Sequence, residues 1–482
     1  MSVQTTSLKT MKLAAGCMAF AAACSQTAAL AAETEQKPNA LNVVIVLTDD
    51  QGWMDLGCYG STYYETPNVD KLAAQGMRFT QAYSAGAVCS PTRAALLTGK
   101  SPARLHATSI YPGSRVHKTD RILLPPIIDD VSPNEITIGE AFQNNGYRTA
   151  IYGKWHIRGI HPSDKGFDDY NVNEIGNLSH IGGHASRPAI GDDTHFIQAI
   201  TMKTLDFIED SQAENKPFFV IMSHHAPHTP LGTSQEMLDK YKDKPAGVNG
   251  QHNPYYAGMI EQLDTSVGAV VGKLEELHLE DNTVIIYTSD NGGVGNYPFH
   301  KDVLPGHCTI NTPLRGTKAM IYEAGHRVPM IIRWPGNIAG GGESDLPVIT
   351  MDIYPTLLDM AGLDALPDQH KDGQSLAPVL KGASRLNREN ALLFHNPHYV
   401  GGYGPKSAVI NRDYKYIIYW ESELAPQGGR KNELFNLKKD PGETNNLADA
   451  MPEKTEQMKQ LLKTQLQKTN AQMPIVNPDY KQ

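Results

Sequence analysis

The sequence predicts an α/β protein: a large, mostly parallel sheet sandwiched by helices, with a smaller C-terminal antiparallel sheet plus helix. Three observations lead there. Apolar, β-branched runs alternate with helical patterns over most of the chain, as in a doubly wound sheet. After about residue 385 the pattern changes to short β runs between Gly, Pro and Asn turns. The 482 residues, 40% hydrophobic and 20% charged, are ordinary globular composition and exclude a disordered or fibrous chain.

The elements follow in order. Lys9 and Lys12 precede an apolar run from Leu13 to Ala23, and Ala29-Leu30-Ala31 offers a small-residue cleavage site. This reads as a secretory signal over 1–31, because a permanent span needs about 20 apolar residues. The expected protein is exported, periplasmic or secreted, with no stable membrane span. A lipoprotein attached through Cys24 is the alternative, although three alanines before it make a poor lipobox.

Residues 42–48 form a continuous apolar run, expected as a strand buried on both faces. Similar runs recur at Tyr147–Tyr152, Pro217–Ser223, Thr283–Ser289 and Val328–Trp334. Asn68 is expected to cap a helix over Val69–Ala74 that Gly76 ends. Met259, Leu263, Val267, Val270, Leu274 and Leu277 mark an amphipathic helix over 255–278, and Asp352–Ala361 another, stopped by Gly362. Residues 171–195, rich in Gly, His and Asp, read as a long loop.

Leu392–His395, Lys406–Ile410, Tyr414–Trp420 and Glu433–Leu437 are the short β runs of the C-terminal part. A last helix follows, with Met458, Leu461, Leu462 and Leu466 on one face. The expected division is 1–31, 32–385 and 386–482.

Charge and cysteine usage narrow the chemistry. There are 43 Lys+Arg against 52 Asp+Glu, a net charge of −9, which opposes nucleic acid as a partner. Removing Lys9 and Lys12 with the leader takes it to −11. Of five cysteines, cleavage leaves Cys58, Cys89 and Cys308, an odd number for an oxidising compartment. Cys58 and Cys308 are free to pair or not.

Two strand ends carry acids: Thr48-Asp49-Asp50 and Ser289-Asp290-Asn291-Gly292-Gly293. Ligands of open α/β sheets gather at the carboxyl ends of strands. Three carboxylates and one amide there suit a hard divalent ion, Ca²⁺ or Mg²⁺, and no Cys₂His₂-like spacing points to structural zinc. The odd cysteine opens Cys89-Ser90-Pro91-Thr92-Arg93, with Pro91 and Gly99 bracketing a short helix. Its N-terminus favours a thiolate or a bound oxyanion.

With these motifs, the chain resembles the formylglycine-dependent sulfatases of the alkaline-phosphatase-like superfamily. Cys-Ser-Pro-Thr-Arg matches the family's C-x-P-x-R signal. The resemblance extends through Leu47–Gly52, Gly153-Lys154-Trp155-His156, Ala226-Pro227-His228-Thr229-Pro230 and Thr288–Gly293. It continues in Leu314-Arg315-Gly316-Thr317-Lys318, Tyr322–Gly336 and Asp440-Pro441-Gly442-Glu443-Thr444. Departures are small: Ile157-Arg158 follows His156, and Thr317 stands where glycine is common.

The resemblance implies that a separate maturation enzyme converts Cys89 to Cα-formylglycine. It implies one Ca²⁺ held by Asp49, Asp50, Asp290 and Asn291, with residue 89 and the substrate sulfate completing its shell. Arg93 and Lys154 would hold the formylglycine diol, and His156 would take its proton. His228 and Lys318 would grip the sulfate, one of them protonating the leaving alcohol. An unmodified thiol lacks the second hydroxyl that regenerates the aldehyde, so Cys89 itself should be nearly inactive.

The implied substrate is a sulfated carbohydrate. The net charge weakly favours a terminal sulfated sugar, hence exo action, over capture of a long polyanion. The alternatives are a phosphate mono- or diesterase of the same superfamily, or a silent carbohydrate-binding protein if Cys89 stays unmodified. His224 and His225 read as structural. His106, His180, His184, His395 and His398 fall in expected loops, where they are either solvated or line a sugar pocket.

Overall fold

The computed structural model describes residues 40–110, 121–128, 130–171, 189–190, 196–295, 308–386, 388, 390–400, 404–425 and 430–480. The expected leader, most of the loop 171–195, His180 and His184 lie outside these.

The first part contains, in order, β1 (Asn42–Thr48), α1 (Pro67–Gln75), β2 (Met77–Phe79), α2 (Cys89–Thr98), α3 (Ile138–Gln143), β3 (Arg148–Gly153) and β4 (Asp169–Asn171). It continues with α4 (Ile197–Ala213), β5 (Phe218–Ser223), α5 (Pro254–Glu276), β6 (Thr283–Ser289), β7 (Met330–Arg333), β8 (Gly342–Ser344) and α6 (Ile353–Met360). These strands form one eight-stranded sheet in the order β8-β2-β7-β6-β1-β5-β3-β4. All pairings are parallel except those of β7, which is antiparallel to both neighbours. The long connection before β7 starts at the carboxyl edge of β6, so the chain re-enters the sheet in the opposite sense.

Every residue of β1 is buried, as its unbroken apolar run requires. Val44 and Val46 pack with Tyr152, Met222 and Tyr287 against Leu72 of α1, Phe207 of α4 and Val267 and Val270 of α5. The opposite face is covered in part by α3, whose Phe142 stacks on Phe219 of β5 with ring centroids 4.6 Å apart. Helices therefore flank both faces.

One predicted cap is corrected. Helix α1 starts at Pro67, so Asn68 lies inside it, and its amide donates to Asp264 of α5 at 2.8 Å. Pro at the first turn supplies the start signal that the sequence reading gave to Asn68.

The C-terminal part holds β9 (Leu392–Asn396), β10 (Lys406–Asn411), β11 (Tyr414–Tyr419), β12 (Glu433–Asn436) and α7 (Pro452–Lys468). The four strands form an antiparallel meander in chain order. One face, with Val409, Tyr416, Ile418 and Leu434, packs on Met458, Leu462 and Leu466 of α7. The alternate residues Phe394, Ala408, Ile417 and Phe435 pack on Tyr83, Ala95, Ile321 and Tyr322. Period-two alternation thus gives this sheet two apolar faces. No described helix is long and apolar enough to cross a membrane.

Candidate active site

Strand register assembles the site. Thr48 of β1 pairs with Ser289 of β6, so Asp49-Asp50 and Asp290-Asn291 leave the sheet side by side. The Asp290 amide donates to the Thr48 carbonyl at 3.1 Å, and the Asp50 amide to Asp290 Oδ1 at 3.3 Å. On the other side Gly153 pairs with Ser223, delivering Lys154 and His224 to the same edge. Gly292 must be glycine, because a Cβ there would lie 1.8 Å from the Ala324 carbonyl oxygen.

Helix α2 brings Cys89 to these strand ends. All ten of its residues are buried, and Gly99 ends it in the left-handed region (φ 66°). Asp49, Asp50, Cys89 and Asp290 each offer one donor atom, all within 4.8 Å of one another. Cys89 Sγ lies 3.5 Å from Asp49 Oδ1. Asn291 Nδ2 donates to Asp50 Oδ1 at 2.7 Å, and Asn291 Oδ1 is buried with no hydrogen-bond partner. A buried acceptor left over beside gathered carboxylates fits a hard cation.

Three cations ring the acids. Arg93, 3% exposed, donates from Nε to Asp290 Oδ2 at 2.9 Å and places Nη2 2.7 Å from the same oxygen. Its Nη1 donates to the Lys154 carbonyl at 2.8 Å and to Ser223 Oγ at 2.6 Å. Lys154 pairs with Asp49. Lys318 Nζ lies 2.6 Å from Asp50 Oδ1 and 3.7 Å from Cys89 Sγ. His228 places Nε2 3.5 Å from Asp50 Oδ2, and Nδ1 hydrogen-bonds the Thr229 carbonyl.

The electrostatics correct one expectation. Burial, then the Asp49 charge, push the Cys89 thiol up to about 12, outweighing Lys154 and Lys318. The helix N-terminus does not yield a thiolate here. Asp290 is raised to about 6 by burial and by Asp49, whereas Asp49 is held well below its usual range by Lys154, His228, Arg93 and Lys318 against the effect of burial. His156 is exposed at the rim, with φ 55°. Crowding by the protein and the charges of Lys154 and Arg93 push its imidazole below its ordinary value, so it is neutral. Asp50 also has positive φ (68°), and such strain at non-glycine residues concentrates at functional sites.

The structure therefore brings Asp49, Asp50, Cys89, Arg93, Lys154, His228, Asp290, Asn291 and Lys318 into one cluster, with His156 in the field of its charges. Among the described residues, it does not do so for His106, His395 and His398. His395 lies in β9, buried, bonded to Ser407 Oγ at 2.7 Å and the Gln472 carbonyl at 2.8 Å. His398 is buried against Thr108 Oγ1 at 2.9 Å, and His106 Nε2 bonds the Asn470 carbonyl at 2.8 Å. Their protein partners leave them as structural groups. His224 and His225 are buried, and both ring nitrogens of His224 lack a hydrogen-bond partner among the described residues.

Sequence reasoning missed three supporting residues. Ser223 Oγ accepts from Arg93 and donates to the Lys154 carbonyl at 2.6 Å. Gln51 Oε1 accepts from Thr48 and Tyr287 hydroxyls at 2.9 and 2.7 Å. Asp55 accepts from the Gly52 amide, Tyr256 and Thr309, bracing the turn after Asp50. Ser223 had a signal in its place at a strand end beside the three histidines, and Gln51 stood in the recognised Leu47–Gly52 stretch.

Cys58 and Cys308 form no disulfide.

Comparison with known proteins adds to this geometry. The sulfatase family model matches residues 41–363, and that of the N-sulphoglucosamine sulphohydrolase C-terminal region matches residues 317–472. Arylsulfatase A of Homo sapiens is 31% identical over 88% of this chain and 88% of its own. N-acetylgalactosamine-6-sulfatase of Canis lupus familiaris is 31% identical over 73% of this chain and 68% of its own. The crystal structure of Ps i-CgsB with k-i-k-neocarrahexaose superposes with a TM-score of 0.71 at 24% identity, covering 90% of this chain and 94% of that one. At that identity the likeness is one of fold.

Proposed function

The chain belongs to the sulfatase family and is a sulfuric ester hydrolase, and on that premise we propose that it acts on sulfated carbohydrates through residue 89. In this reading a maturation enzyme converts Cys89 to Cα-formylglycine, and Ca²⁺ is the resident ion. The observation that carries it is the convergence of Asp49, Asp50, Cys89 and Asp290 within 4.8 Å, inside a ring of fixed cations. Asp49, Asp50, Asp290 and Asn291 would hold the ion. The hydrated aldehyde would supply a hydroxyl nucleophile, made more acidic by a bound Ca²⁺, and a second hydroxyl for regeneration.

The protein's own groups do the rest. Three carboxylates cancel the charges of Arg93, Lys154 and Lys318; a divalent ion leaves an excess of about two positive charges. That excess suits a monoanionic sulfate ester together with an ionised nucleophile. Arg93 is pinned at three points, so its charge is preorganised, with that of Lys154, for the negative charge of the diol on residue 89. Lys318 stays charged, its pKa raised well above the usual value because the Asp50 and Asp49 charges oppose the effect of burial. With His228 it grips the sulfate, and one of the two protonates the leaving alcohol. His156, neutral at the rim, takes a proton from residue 89.

The relative named N-acetylgalactosamine-6-sulfatase supports a sulfated sugar as substrate. We further propose a terminal sugar and exo action, since a net charge of −11 after loss of the leader repels a long polyanion while the local cations attract a single sulfate. The leader pattern supports export of the mature protein from the cytoplasm.

Peptide mass spectrometry around residue 89, with a screen of position-defined sulfated sugars in Ca²⁺, tests the reading. Active enzyme should carry the aldehyde or its hydrate and desulfate oligosaccharide ends faster than internal positions of intact polymer. Full activity in material carrying only the thiol would sink the mechanism, and equal rates at internal positions would sink exo action.

A further inference from the structure

Four charged side chains outside the site are sealed between the loop that carries Lys318 and the C-terminal sheet. Glu323 and Glu443 are 0% exposed, and the Lys415 side chain, on β11, is 1% exposed. Arg327, on the turn after Glu323, completes the set. Signs alternate along the cluster. Arg327 pairs with Glu323, whose Oε1 lies 3.1 Å from Lys415 Nζ, and Lys415 lies 3.0 Å from Glu443 Oε1.

Glu443 holds both shoulders of the Lys318 loop. Its Oε2 accepts from the Glu323 amide at 2.7 Å, five residues after Lys318. Its carbonyl accepts from Arg315 Nη1 at 2.9 Å, three residues before it. The base of the loop closes through Ala324 N to Arg315 O at 3.0 Å. On its inner side the loop is tied to the site: Lys318 N donates to Gly293 O at 2.9 Å, Ala319 N to Ala87 O at 2.8 Å, and Gly292 N to Gly325 O at 3.1 Å. Gly293 lies two residues beyond Asn291, and Ala87 two before Cys89.

We propose that Lys415 and Glu443 are positioning residues: through Glu323 they fix the loop on which Lys318 stands, so that the C-terminal sheet takes part in sulfate ester hydrolysis without touching substrate. A buried ion cluster is no more stabilising than apolar side chains of the same volume, but it fixes geometry through directional bonds. Displacing a catalytic cation by about 1 Å is enough to cost on the order of a hundredfold in rate. The inference rests on reading Lys318 as a sulfate-holding cation.

The test compares Lys415→Met/Glu443→Gln, which removes one charge of each sign, with Lys415→Arg and Lys318→Ala in matured enzyme. The double variant should lose kcat by about ten- to a hundredfold with KM within about threefold, because the loss falls on the transition state. Lys415→Arg should recover most of it. A crystal structure of the double variant should show Lys318 moved from its 2.6 Å contact with Asp50. Wild-type kcat in the folded double variant overturns the proposal. If that variant does not fold, Glu443→Gln decides. A glutamine Oε1 can still accept from the Glu323 amide, and Lys415 keeps Glu323 as a partner. The amide should lower kcat about threefold at unchanged KM, and unchanged kcat overturns the proposal equally. Lys318→Ala separates the two readings, since an active Lys318→Ala enzyme refutes the role of Lys318 itself.

Discussion

Two buried charge clusters lie on either side of the Lys318 loop, and they are built on opposite rules. At the loop anchor, Arg327, Glu323, Lys415 and Glu443 alternate in sign, so each charge meets an opposite one. At the strand ends, Asp49, Asp50 and Asp290 crowd within 4.8 Å of each other, and their cations stand outside the acid group. Gathering like charges costs free energy that folding alone does not recover. The first arrangement is complete as protein, whereas the second, in the proposed reading, would be completed by the ion and the sulfate it binds.

The largest effect that separates the two is loss of the nucleophile. Cys89→Ala should lower turnover by about 10⁴-fold or more. It should leave the unfolding free energy within about 1 kcal/mol of wild type, since it removes one small buried atom. Substantial turnover by the alanine variant would end the assignment of residue 89.

The anchor should show the reverse. Glu323→Gln removes the carboxylate that Arg327 and Lys415 share and leaves Lys415 with Glu443, and should destabilise the protein by about 3–5 kcal/mol in denaturant titrations. Burial alone would raise the Glu323 carboxyl, but Lys415 and Arg327 overcome it and hold it at about 2 instead of 4.5. A depressed carboxyl contributes stability above its unfolded value and loses it as pH falls through the folded one. The gap between wild type and variant should therefore be full above about pH 4.5 and narrow towards pH 2. A pH-independent gap would show that the carboxylate charge is not its source.

The proposed calcium ion would address the strand-end cluster alone. At one hundred times its Kd, the ion should stabilise the folded protein by about 2.7 kcal/mol, and chelation should reverse this. Asp50→Asn should weaken that response, while Lys415→Arg should leave it intact. A melting temperature indifferent to Ca²⁺ in matured protein would refute the ion assignment.

Legibility in the sequence followed the range of the interactions. Strands β1 and β6 could be read to the residue because an unbroken β-branched run dictates a doubly buried strand. Asp49, Asp290 and Cys89 could be read because each stands next to an element boundary that its neighbours announce. The three-residue strands β2, β4 and β8 were missed, being too short to show a period. Asp55 gave no signal, since Tyr256 and Thr309, its partners, are 201 and 254 residues away. Glu443 stood in a recognised motif, yet its use depends on Lys415 and Glu323, which only the fold brings to it.

The smallest expected effect concerns the two remaining cysteines, which the sequence left free to pair or not. Cys58 packs at the edge of the main core beside α1, and its amide donates to Asp70 at 2.7 Å. Cys308 is 1% exposed in a different cluster with Tyr64 and Tyr256. With no bond between them, a reducing agent has no loop to release, so it should not move the unfolding midpoint. Both thiols should also be slow to react. Burial, then the Asp70 charge, push Cys58 up, and burial, then Asp50 and Asp55, push Cys308 up to about 12. Few thiolates are then present at neutral pH, and the thiolate is the reactive form. Native protein should resist alkylation at both positions while urea-unfolded protein is labelled at both. A midpoint lowered by reductant would mean that the two cysteines pair after all, and the even count would then have a covalent explanation.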